Sequence, residues 1–397
     1  MRTAEQMLIR VGLLLGFALG IAACSSHLDL GHDLQGHVVS PDHPDQPSMP
    51  DMMPDASVVS DAANVPDAPD DSSTPDQPTI PTAPETPTAS TCVGIPCFAG
   101  PELLLASSMG NAKGLVVDAD NIFWAATSGQ AMMMTPKDGT ETTAVPTPSP
   151  YRVAADDTNV YFTSAVGGYV AWMPKRTKPR LGPKLLPPIT VILQTDTEPQ
   201  SLVVASEGVY VADGQAGTIT RVTTDHSAAP ETLVTGLYDG AELAIDDTAV
   251  YYVDSALGEI HALSRVTNAN TLLASGLEHP VAPVLRDDKL YFLELGTENA
   301  SYEDGRVRRM RRSGGSIDVL MDHLEAPTGL TADTAAIYLC TRGTVRTNFK
   351  GRIVRIADDG QVSTLAVGQA EPFGIAVDGT GIYWTADSDN GLHSIAR

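Results

Sequence analysis

The one long apolar stretch in this 397-residue chain, Val11–Ala23, is 13 residues long, too short to span a bilayer. Lys and Arg are absent from residues 25–91, which hold 12 acidic residues. No Gly-x-Ser-x-Gly elbow, phosphate loop or zinc-type His pair occurs anywhere, so the motifs that would announce a serine hydrolase, a nucleotide enzyme or a zincin are missing. Positive charge is also in deficit. Of a formal net charge of −24, residues 92–397 carry −13, from 36 acidic and 23 basic side chains, which argues against nucleic acid or an anionic membrane surface as partner. There are only four cysteines: Cys24, Cys92, Cys97 and Cys340.

What the chain does have is a repeat. Seven aromatic markers, Phe123, Tyr161, Tyr210, Tyr251, Tyr291, Tyr338 and Tyr383, lie 38 to 49 residues apart. Six positions before them stand Val117, Ala155, Val204, Ile245, Leu285, Ala332 and Val377. Eight positions before stand Leu115, Val153, Leu202, Leu243, Pro283, Leu330 and Ile375. Asp follows the −6 residue in five copies, and Pro stands at −11 in five.

Positions two apart share one face of a strand, and the polar run before each aromatic has turn chemistry, so each motif reads as strand, tight turn, strand. A one-residue slip would turn every core side chain outward, hence the constant internal spacing. Two further alternating runs follow each motif, for instance Gly217–Val222 and Glu231–Thr235. Four strands per unit of this length is a propeller blade. The expected fold is all-β, a seven-bladed β-propeller over residues 101–397, with Pro101–Ser107 completing the last blade and no edge left frayed. Copy two, with the Pro-rich stretch 176–188, is the one expected to be irregular.

The segment before the repeats divides in three. Residues 1–24 read as an export signal ending Ile21-Ala-Ala-Cys24-Ser25, which resembles the lipobox of bacterial lipoproteins. The resemblance implies lipidation at Cys24, a membrane anchor in the cell envelope and, from Ser25, an outer-membrane address. Residues 25–91 are too poor in apolar side chains to offset ordering entropy and read as a disordered acidic tether. It would reach roughly 45 Å as a coil and about 220 Å at full stretch. Its four histidines, His27, His32, His37 and His43, read as a solvated polar linker in preference to a metal-scavenging tract. Residues 92–100 are a short lead-in where Cys92 and Cys97 are expected to close a small disulfide loop, with a metal or redox pair as the lesser reading. Cys340 is expected to be a buried small apolar residue.

Candidate chemistry gathers at one face, on loops that enter the inner strand and loops after the aromatic. Twelve positions before the markers are Glu198, Asp239, His279 and Glu371; just beyond them are Asp213, Asp254, Glu294 and, in the last copy, Asp387. Converging carboxylates can hold Ca²⁺ or another divalent cation, act as acid and base, or simply be solvated loop residues. Two long loops add opposite charges, Glu298, Glu303 and Asp304 in residues 296–305 and Arg342, Arg346 and Lys350 in residues 341–351. Arg306 and Arg308 share a strand face that can bind an anionic polymer or be solvated.

The last copy, Ile382-Tyr-Trp-Thr-Ala-Asp387, closely resembles the YWTD repeat, and residues 101–397 are similar to the wider group of YWTD, NHL and TolB-like propellers. The resemblance implies mainly binding scaffolds. It also admits enzymes of the streptogramin-lyase type, whose channel His and Glu set has no counterpart here. The expectation is a monomeric, exported, membrane-anchored module that binds a protein or glycan without catalysis or a resident cofactor. The alternative is a metal-assisted lyase or hydrolase at the channel mouth.

Overall fold

The computed structural model describes residues 101–107, 110–175, 186–225, 227–238 and 241–397, all within the unit Pro84–Arg397. Cys24, Cys92, Cys97, the tether, His226, Asp239 and the core of the Pro-rich stretch lie outside the described residues.

Each repeat folds into a four-stranded antiparallel sheet, and there are seven sheets. The first residue of the motif opens the inner strand: Pro150–Ala155, Pro280–Arg286, Pro327–Ala332 and Pro372–Val377 all start on the −11 proline, where no ladder donor is needed. The aromatic markers sit on the second strands and are buried in all seven blades. The inner strands pack one against the next around a closed circle. Closure is by the N-terminal strand Leu103–Ser107, which pairs with Gly391–Ala396 as the outer strand of blade seven.

The core is not a single body. Seven apolar clusters fill the seven junctions between blades, for example Tyr210 and Ile219 of blade three against Tyr252 and Leu263 of blade four. Alternation along each strand feeds one face to each neighbour, so every blade is needed on both sides. Cys340 is fully buried, and burial pushes its thiol up to about 11, which makes it an inert packing group as expected.

The Asp that follows position −6 has two jobs. Asp156 Oδ1 accepts the amides of Thr158 and Asn159 at 2.7 Å, and its Oδ2 accepts the hydroxyl of Tyr161 at 2.7 Å. Asp333 does the same for Ala335, Ala336 and Tyr338. The carboxylate thus closes the hairpin turn and tethers the marker.

Four of these carboxylates also meet cations from the next blade, and in blade three, where Ala205 replaces the Asp, Glu207 does so in its place. Lys137 pairs with Asp378, Lys175 with Asp118 (3.6 Å), Arg265 with Glu207 (2.6 Å), Arg312 with Asp246 (2.7 Å) and Arg397 with Asp333 (2.7 Å). At the junction of blades five and six the signs are exchanged, Arg286 pairing with Asp358. Between blades two and three, Thr224 stands where a cation would, and no such pair occurs among the described residues. Arg265 holds the Glu207 carboxyl at about 2, against an ordinary 4.5. Burial works to raise Asp246, but the Thr248 hydroxyl, two backbone amides and Arg312 outweigh it and bring the group to about 2, from 3.8. Both folded values are depressed, so the stabilisation is full above the unfolded values and is lost as pH falls toward about 2. The thermal midpoint is therefore expected to fall across that acid window. In a Glu207→Gln chain the fall should be shallower; an identical slope would remove Glu207 from the linkage.

Candidate functional site

The face carrying the loops into the inner strands divides into two unlike halves. On blades three, four and five the residue three past the marker is a buried carboxylate, Asp213, Asp254 or Glu294, each at most 3% exposed. Asp213 accepts the Ala216 amide at 2.8 Å and the Thr197 hydroxyl. Asp254 accepts the amides of Tyr238 and Leu257, both at 3.0 Å. Glu294 accepts the Glu278 amide at 3.2 Å and faces Arg308 at 2.8 Å and Arg306 at 3.3 Å. Each clamps the loop that enters its own blade, and Arg306 and Arg308 are the counter-ions of Glu294. The geometry of these groups is that of structural acceptors, already occupied.

At the entry corners, Ser149, His279, Ala326 and Glu371 all adopt the left-handed backbone region, with φ between 38° and 56°. Their carbonyls accept amides four past the marker, from Ala165, Leu295, Arg342 and Asp387. That bond, with the following proline, holds a conformation that costs roughly 1–3 kcal/mol at a residue with a side chain. Glu198 is exposed, its amide donating to the Gln215 side chain at 3.2 Å; His279 is half-buried at the rim.

The two long loops lock onto each other. Glu303 accepts from Arg346 at 2.7 Å and from the Thr344 hydroxyl at 3.1 Å. Arg342 pairs with Glu371 at 3.0 Å, and Glu371 also accepts the Ser388 hydroxyl. Among the described residues no group of three or more His, Cys, Asp or Glu is placed to hold a metal ion.

The other half, blades six, seven, one and two, is built differently. Position −9 is glycine in three successive blades, Gly329, Gly374 and Gly114. A Cβ there would lie 2.5 Å from the Phe373 carbonyl oxygen, 2.7 Å from that of Lys113 and 2.8 Å from that of Tyr151. Only a residue without a side chain lets the neighbouring inner strands approach so closely. The residues brought side by side at position −10 are Thr328, Phe373, Lys113 and Tyr151. Lys113 Nζ lies 4.3 Å from the Phe373 ring centre and 2.6 Å from Asp387 Oδ2. Arg152 Cζ lies 5.0 and 5.2 Å from the Tyr151 and Phe373 centres and pairs with Glu242 of blade four. Burial holds the Lys113 ammonium below its ordinary value; Asp387 opposes this, and the nearby Arg342 and Arg152 add to it. Three cations and two rings thus converge on this half, whereas the opposite half buries the carboxylates Asp213, Asp254 and Glu294.

Of the residues singled out from sequence, the structure brings Arg342, Glu371 and Asp387 to this half and sets Asp213, Asp254 and Glu294 into the opposite one. The residues that the sequence reading passed over are Lys113, Tyr151, Arg152, Glu242 and Phe373. Bulges in the inner strands fall at this point, between Ala112 and Leu115, Pro150 and Val153, and Pro372 and Ile375. A bulge breaks the period of two on which side chains are assigned to faces. The readable signal was the run of three glycines at −9.

No family model matches the sequence, and no curated protein matches it. Solved structures do. A streptogramin B lyase superimposes with a TM-score of 0.60 at 15% identity, covering 74% of this chain and 96% of that one. Virginiamycin B lyase from Staphylococcus aureus gives 0.58 at 17%, covering 75% and 98%. The WD40 repeats of RRP9 give 0.58 at 11%, covering 75% and 97%. A lyase and a WD40 protein share this architecture, so at such identities the likeness carries the fold alone: residues 101–397 form a seven-bladed β-propeller.

Proposed function

We propose that this protein is an exported, lipid-anchored binding scaffold, with Cys24 carrying the lipid, residues 25–91 as tether and the loop-bearing face engaging a protein or glycan. The observation that carries the binding reading is the state of the rim carboxylates. Asp213, Asp254, Glu294, Glu303 and Glu371 are each held by amides, hydroxyls or guanidinium groups, which supports a rigid recognition face over a set of free acids and bases. A ring closed on itself loses little entropy on binding, so few contacts suffice. The rival, a metal-assisted lyase or hydrolase, draws on the lyases among the structural neighbours. A stoichiometric, chelator-sensitive divalent cation on the purified chain would favour it.

Two measurements test the proposal. Fatty-acid labelling is expected to mark the wild-type chain and not Cys24→Ser; label retained in the variant would remove the anchor. A photo-crosslinker replacing Phe349, 41% exposed on the long loop of blade six, should recover a reproducible partner in intact envelopes. One replacing Val266, 86% exposed in a turn of blade four, should not. Equal recovery from both positions, or none from Phe349, would overturn the binding reading.

A further inference from the structure

The mouth formed by blades six, seven, one and two contains polar atoms that the fold leaves without partners. Asp387 Oδ1 is the one carboxylate oxygen among the described residues that is buried without a hydrogen bond, and the Thr341 hydroxyl of blade six is buried in the same condition. Arg152 Nε is a third such atom, less telling because several other arginine Nε atoms share its state. Spare donors stand close by. Lys113 has three N–H bonds and one carboxylate partner; Arg342 is 45% exposed and uses Nε and Nη2 on Glu371. Lys113 has two further cations, Arg342 and Arg152, near enough to disfavour its charge, an arrangement that packing alone does not require.

Resting on the reading that this face binds a partner, we propose that the mouth takes a hydroxylated carboxylate, specifically a uronic acid unit of an acidic glycan. The carboxylate accepts from Lys113 and Arg342. A hydroxyl donates to Asp387 Oδ1, which can only accept. The carbon face of the sugar lies against Phe373 and Tyr151, which stand with ring centres 6.2 Å apart and are both half-buried. A single negative charge fits better than a phosphate dianion, because Asp387, Glu242 and Glu371 stand among the cations and repel the second charge.

Calorimetric titration of the full chain with D-glucuronate, D-glucose and glycine tests this directly. Glucuronate is expected to bind, with glucose at least about 10-fold weaker for want of the charge-assisted bonds. The double variant Lys113→Met/Asp387→Leu should abolish the glucuronate signal. Should that chain fail to fold, Arg342→Gln, at an exposed position, is expected to weaken binding about 10-fold. Glucose binding as tightly as glucuronate, glycine binding in its place, or no binding by any probe would each overturn the uronate assignment. If the Phe349 crosslinker still recovers its partner in that case, the binding scaffold survives and only its ligand class falls.

Discussion

Glu294→Ala is expected to destabilise the propeller by about 3–5 kcal/mol, the range for removing one partner of a buried ion pair. Glu294 is 1% exposed and meets three donors, the Glu278 amide and the guanidinium groups of Arg306 and Arg308. Its loss leaves Arg308 on the third strand of blade five with no counter-ion among the described residues and frees the loop that enters the blade. Arg306 is partly solvated and contributes less. Glu294→Gln keeps the shape and the amide contact and should cost about half as much, since hydrogen bonds to charged groups contribute roughly 1.5–3 kcal/mol. Chemical denaturation with a shared m-value is the measurement. A Glu294→Ala midpoint within error of wild type would mean that the clamp is ornamental.

Removing the closing strand should be comparably severe. A chain starting at residue 110 lacks Leu103–Ser107, whose register partners are Ser394, His393, Leu392 and Gly391. It loses those ladder bonds, the packing of Leu105 at the junction of blades seven and one, and the Glu102 contacts to Gln369 (2.9 Å) and His393 (3.1 Å). At about 1 kcal/mol for each hydrogen bond and about 25 cal/mol per Å² of apolar surface, the expected loss is on the order of 3–5 kcal/mol. The bare strand Gly391–Ala396 would also become an exposed edge prone to association. A chain starting at residue 101 should keep wild-type stability. Equal stability for the two truncations would show that the ring does not need this strand.

The fold was legible because its determinants repeat. The −8 and −6 residues, the aromatic and the turn Asp recur at fixed offsets, and each proved to be a packing or turn-closing group. The extra partner of that Asp, the cation of the neighbouring blade, was hidden. Lys137, Lys175, Arg265 and Arg397 stand at one offset from their markers, but Arg312 is displaced by a longer loop, and Arg286 with Asp358 carries the charges exchanged. The site was less legible for a local reason. Acidic rim positions look alike in the sequence, yet the structure separates clamps such as Asp254 from groups such as Asp387 whose second oxygen is unused. Position −10 lies in the bulge, where the alternation that assigns side chains to faces fails. Phe373, Lys113 and Tyr151 converge only because glycine at −9 lets three adjacent strands close up.

The division of the mouth into a structural half and a binding half is tested most directly by thermal unfolding of the Lys113→Met/Asp387→Leu chain. Replacing a paired buried cation and carboxylate together by apolar groups of similar size is commonly neutral or stabilising. The expected result is a midpoint equal to or above that of wild type. A drop of several degrees, about 2–4 °C for each kcal/mol in a domain of this order of size, would show that this pair supports the fold as Glu294 does and would contradict the division.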